Sequence, residues 1–120
     1  MNTADELARL YLAAWNEPDE ARRLDLVART YTEGGSYVDP LMQSKGHPEI
    51  TAMIGAAQSQ FPGHRFRLAS AVDAHHDLAR CSWELAPEGG EAVARGTDVG
   101  RIVEGRFSGV VGFLDQMPAR

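Results

Sequence analysis

Residues 92–114 read AVARGTDVGRIVEGRFSGVVGFL. From Ala92 to Val103 the pattern alternates, so one face carries Val93, Arg95, Thr97, Val99, Arg101 and Val103. The opposite face carries Ala94, Gly96, Asp98, Gly100 and Ile102. A period of two is the signature of a strand with two unlike faces. Glu104-Gly105 is a tight-hairpin signal, so Arg106 to Leu114 returns as the neighbouring antiparallel strand. Asp98 stands among small or apolar neighbours, which leave open space above the strand. If that face is concave, an ionised and unpaired carboxylate there is costly, and its pKa rises until it is partly or wholly neutral. If the face points outward, Asp98 is simply solvated.

Working back from this hairpin, Ala79, Cys81, Trp83 and Leu85 alternate with Arg80, Ser82 and Glu84. Before them Phe66, Leu68, Ser70 and Val72 alternate with Arg65, Arg67, Ala69 and Asp73. His75-His76-Asp77 and Pro87 to Gly90 read as turns. The N-terminal half has the helical period instead. Thr3 and Glu6 form a capping box ahead of a stripe of Leu7, Leu10, Tyr11, Ala14 and Trp15. Pro18 opens a second helix with Leu24, Val27, Ala28 and Tyr31 inward, stopped at Gly34-Gly35. A short strand, Ser36 to Asp39, ends at Pro40 and leads into an irregular loop. Pro48 opens a third helix with Ile50, Met53, Ile54 and Ala57 inward, extended by Phe61 and broken at Pro62-Gly63. Helix, helix, strand, helix and four closely connected strands make an α+β domain over residues 1–120.

The 120 residues suit one domain, with 43% hydrophobic and 24% charged residues and a net charge of −5. No basic patch points to nucleic acid. No run approaches the roughly 20 apolar residues of a membrane span, and no signal peptide is evident. The single cysteine, Cys81, fits a reducing compartment, so a cytoplasmic location is expected. The 4 histidines lack metal-ligand spacing, and no phosphate loop or dinucleotide fingerprint is present. Neither a metal nor a cofactor is therefore expected. Asp39 shares a face with Tyr37 and either works in a site or caps a turn. Read alone, Tyr11, Trp15, Phe61, Phe66 and Phe113 are more often core side chains than ligand contacts, and Trp83 is evenly balanced between the two.

Three pieces occur in a telling order: Tyr37-Val38-Asp39-Pro40, Gly46-His47-Pro48-Glu49-Ile50, and Gly96-Thr97-Asp98-Val99. Their order and spacing resemble the nuclear transport factor 2-like superfamily, and more closely its SnoaL-like and ketosteroid isomerase-like branch, over roughly Asp5 to Asp115. The resemblance implies a cone-shaped, curved antiparallel sheet covered by about three N-terminal helices, a deep pocket for a small hydrophobic molecule, and a homodimer. It implies that Asp39 is the general base, and that Tyr11 and a protonated Asp98 donate to an oxyanion. Two aspartates tuned apart by their surroundings are the known device of that isomerase. Trp15, Tyr37, Ile54, Phe61, Phe66, Trp83 and Phe113 are then expected to line the pocket, with Ile54 where the family has a supporting tyrosine. The implied activity is an isomerase that moves a proton next to a carbonyl. The alternative is a non-catalytic binding protein for a small hydrophobic metabolite. Limonene epoxide hydrolases need an arginine and an aspartate where this chain has Gly96 and Gly112, which disfavours their reaction. A pocket of roughly 300 Å³ or more is the usual size for such ligands.

Overall fold

The computed structural model describes residues 2–118. Thr3 caps α1 (Ala4–Asn16) through a full capping box with Glu6, and Leu7, Tyr11, Ala14 and Trp15 turn inward. Asp19 caps α2 (Glu20–Thr30), accepting from the Arg22 amide, so Pro18 lies just outside the helix and not in its first turn. Leu24, expected inward, is 41% exposed, and Arg23, Val27 and Thr30 hold the buried face instead. Arg23 is buried because carbonyls accept from its guanidinium: Thr51 O at 3.0 Å, Glu17 O at 2.9 Å and Pro18 O at 3.3 Å. The helix passes directly into β1 (Tyr31–Val38), which therefore begins before the glycine pair and runs through it.

β2 (Gln43–Lys45) turns back on β1 within the loop expected to be irregular. Gly46 precedes α3 (His47–Gln60), with Pro48 in its first turn and Ile50, Thr51 and Ile54 buried. The expected third-quarter strand is split into β3 (His64–Leu68) and β4 (Asp73–His75), both paired with β5 (Leu78–Pro87). β6 (Ala94–Val103) and β7 (Arg106–Gln116) complete a seven-stranded sheet in the order β2-β1-β7-β6-β5-β3, with β4 also on β5. Every pair is antiparallel except β1 with β7, which is parallel. Those two strands are far apart in the chain, so no hairpin dictates their direction. Glu104 and Gly105 both have positive φ, 50° and 80°, as a two-residue primed turn requires.

The three helices cover one face of the sheet. The core between them holds Leu7, Tyr11, Val27, Tyr31, Ile50 and Ile54, each at most 1% exposed. Among the described residues no helix is long and apolar enough to cross a membrane.

Candidate active site

β6 delivers Asp98 to the helix-covered face, 5% exposed, through the alternation that buries Ala94, Gly96 and Gly100 with it. α1 delivers Tyr11 above it. The Tyr11 hydroxyl donates to Asp98 Oδ2 at 2.6 Å, inside the low-dielectric core. The other oxygen, Oδ1, is buried with no hydrogen-bond partner. It points toward Gly112, opposite Asp98 on β7, where a Cβ would come within 2.8 Å of Oδ1 and 3.0 Å of the Tyr37 hydroxyl. A glycine there leaves room that any side chain would fill.

Asp39 lies at the end of β1. It accepts from the Tyr37 hydroxyl at 2.7 Å and from the amides of Leu41 and Met42 at 2.8 and 3.0 Å. Asp39 thus caps the turn after Pro40, and it also lines the cavity beside Asp98. The three donors match an acceptor-only carboxylate.

Burial pushes the Asp98 pKa up to about 6; the hydrogen bond from Tyr11 and the nearby Trp83 indole oppose the rise, and the charge of Asp39 adds to it. Burial, then the charge of Asp98, drives the Tyr11 hydroxyl well above its usual range. The same two causes raise Tyr37. Burial pushes the Cys81 thiol up to about 12, with Asp98 adding to it, so it is no nucleophile. Tyr31 stands behind Tyr11, ring centroids 6.3 Å apart, with its hydroxyl unpartnered.

The cavity measures about 70 Å³, well below the expected 300 Å³. Its aromatic side is held together by edge contacts that use up the space: Trp15 with Phe66 at 5.3 Å, and Phe66 with Trp83 at 5.2 Å. Asn16 fixes this wall by pairing with both backbone groups of Phe66 at 2.8 Å. Tyr11, Trp15, Tyr37, Asp39, Phe61, Phe66, Trp83 and Asp98 all line one cavity. Ile54 does not: it is fully buried in the core under α3. Nor does Phe113, which is 55% exposed on the outer face. The register of β7 shifts against β6 between Phe107 and Gly109, so inward Phe107 is followed by inward Val110 and Gly112. Sequence reasoning missed Leu41, Met42, Leu114 and Met117 at the rim. Their apolar character next to a turn and in a tail was the one available signal.

Residues 8–110 match the model of the SnoaL-like domain. The chain belongs to the SnoaL-like family. A structure from Agrobacterium tumefaciens, provisionally named an isomerase of the SnoaL-like family, is 52% identical over 91% of this chain and 94% of its own, with a TM-score of 0.86. A provisionally named ketosteroid isomerase from Kribbella flavida is 21% identical, covering 98% of this chain and 81% of its own at a TM-score of 0.70. A protein with a ketosteroid isomerase-like fold from Catenulispora acidiphila, solved with trimethylamine, is 13% identical over 92% and 85% of the two chains, at a TM-score of 0.73. The last two share the fold alone with this SnoaL-like chain. A search of curated proteins finds no match.

Proposed function

We propose that this SnoaL-like protein is an isomerase that moves a proton next to a carbonyl in a small unsaturated ketone. The observation that carries the reading is the unpartnered Oδ1 of Asp98, held by Tyr11 in a cavity that Asp39 also lines. When Asp98 is protonated at Oδ1, it offers a hydrogen bond to a ligand oxygen. The single proton of Tyr11 goes to Oδ2, so Tyr11 positions Asp98 and does not donate to the ligand directly. The Trp15 indole N–H, buried without a partner, is a second donor at the same cavity.

Asp39 takes the proton from the carbon between the carbonyl and the double bond. The C–H electrons become a new double bond, and the carbonyl oxygen becomes an enolate oxygen held by Asp98. Asp39 then returns the proton to the far carbon, leaving the conjugated ketone. A positioned base is typically worth ~10²–10⁴ in rate, and one oxyanion donor ~10²–10³. A cavity of about 70 Å³ favours substrates of a few heavy atoms over a steroid; an engineered cavity that holds benzene is roughly twice that.

The test is ultraviolet absorbance on incubation with small β,γ-unsaturated ketones. Growth of the conjugated band, lost by about 10²-fold or more in Asp39→Asn, is the expected result. An Asp39→Asn protein that turns over normally removes the assignment. Saturable binding without conversion supports the second reading, a non-catalytic carrier of a small hydrophobic metabolite. Trimethylamine in the Catenulispora protein is in keeping with small-molecule binding in this fold. We further propose a cytoplasmic homodimer, formed through the outer sheet face.

A further inference from the structure

We propose that the cavity of Asp98 also takes a small methylated ammonium cation, with Asp98 as its counter-ion and the aromatic wall as its seat. The inference does not rest on the isomerase reading. It concerns the ionised form of the carboxyl whose neutral form that reading uses.

The first observation is a charge imbalance. Among the described residues, two carboxylates, Asp39 and Asp98, line the cavity, and no lysine, arginine or histidine lines it with them. Asp39 is served by three donors, but Asp98 Oδ1, on a residue 5% exposed, accepts no full hydrogen bond among the described residues, with only the Trp83 indole near the carboxyl to ease its charge. A buried carboxylate in that condition is poorly compensated, and a cation placed beside it restores the balance.

The second observation is the wall. Trp15 contacts Tyr37 at 5.5 Å and Phe66 at 5.3 Å between ring centroids, and Phe66 contacts Trp83 at 5.2 Å. These rings form a continuous aromatic surface around the space. A cation over the face of such a ring, within about 6 Å of its centroid, is attracted by the ring quadrupole, most strongly where water is excluded. A methylated ammonium spreads its charge over apolar C–H groups, so it suits an apolar wall and a single acceptor oxygen. A bare ammonium would leave its remaining N–H donors unmet here. A volume of about 70 Å³ fits a compact headgroup, and a longer arm can leave past Leu41 and Met117, which are 65% and 42% exposed at the rim.

The pH behaviour follows from the groups around Asp98. Tyr11 faces it from α1, Tyr31 and Tyr37 from β1, and Cys81 from β5, while Asp39 and Asp115 add negative charge. None of these is cationic, so the carboxyl of Asp98 governs the charge of the seat. Affinity for a permanent cation is full above the Asp98 midpoint near 6 and falls as the pH drops through it. By linkage, the bound cation holds that midpoint lower.

Both tryptophans of the chain, Trp15 and Trp83, line the cavity, so intrinsic fluorescence reports on it. The probes are choline chloride and its neutral isostere 3,3-dimethylbutan-1-ol, titrated at constant ionic strength. At pH 8 choline is expected to saturate the signal at about tenfold lower concentration than the alcohol. That preference is expected to shrink to about twofold at pH 5 and to vanish in Asp98→Asn. Equal affinity for the two probes at pH 8, no saturable response to choline, or a preference unchanged at pH 5 overturns the proposal. The pH comparison uses the native chain, so it decides the matter even if the variant fails to fold. Turnover is not read, so failure of isomerase activity and failure of cation binding are separately visible.

Discussion

Asp98 carries a cost that its buried surroundings set, and the proposed uses of the site draw on that same burial. Its carboxyl ionises near pH 6 in the folded chain, against the ordinary 3.8. Below about pH 3 the group is neutral in both folded and unfolded states, and at pH 4 burial still costs little. Between 4 and 6 the folded state binds more protons than the unfolded, so stability falls as pH rises, and above 6 the full penalty stands. Two units correspond to about 3 kcal/mol. Asp98→Asn is therefore expected to raise stability in urea at pH 8 by up to about 3 kcal/mol and to change it little at pH 4. An equal effect at both pH values would show that the carboxyl is not the source. The inward position of this residue was legible, because glycine and alanine alternate with outward-facing arginines on one strand. Phe113 was not legible in the same way. Its outward position depends on the register shift after Phe107, and a one-residue slip in a strand moves every later side chain to the other face.

At the scale of elements, helices α1 and α3 and the last hairpin were readable from caps, prolines and period. The failures lie at α2, at β2 and in the division of β3 from β4. Leu24 was assigned inward by its apolarity, yet Arg23 takes the buried place because backbone carbonyls of the α1–α2 turn and of α3 converge on it. Convergent carbonyls leave no mark in a sequence. Gln58 joins the same junction, accepting from Arg23 at 3.2 Å and donating to Trp15 O at 2.9 Å, so the clamp also steadies the tryptophan end of α1. Arg23→Leu keeps much of the volume but removes these bonds and strands their acceptors. It is expected to cost on the order of 3 kcal/mol, read as a lower urea midpoint at unchanged slope. A loss below about 0.5 kcal/mol, the range of ordinary surface changes, would mean that the clamp contributes nothing to stability.

For the molecule as a whole, the outer face of the sheet is the surface that one chain leaves bare. Val38 pairs with Val111 across β1 and β7, and Val111 with Val99 across β7 and β6, with Phe113 in the next row. Val38, Val111 and Phe113 are 39%, 46% and 55% exposed. We propose that this apolar row is an interface and that a second copy of the chain occupies it. Sedimentation equilibrium is expected to give a dimer for the native chain and a monomer for Phe113→Glu. A native chain that remains monomeric at ~100 µM, where even a weak 10 µM interface would be mostly formed, contradicts it. The family and the α+β architecture were visible in the spacing of three short motifs. The size of the cavity was not, because it depends on how the rings of Trp15, Phe66 and Trp83 lean on one another in three dimensions.

Both proposed uses of the site require a carboxyl that is withdrawn from water and left short of partners. Carboxyl-carbon NMR titration of the native chain beside Asp98→Asn measures that condition directly. One aspartate resonance with a midpoint near 6, absent from the variant, is the expected result. If every aspartate in the native chain titrates near the ordinary 3.9, Asp98 is solvated, and the site described here does not exist in solution.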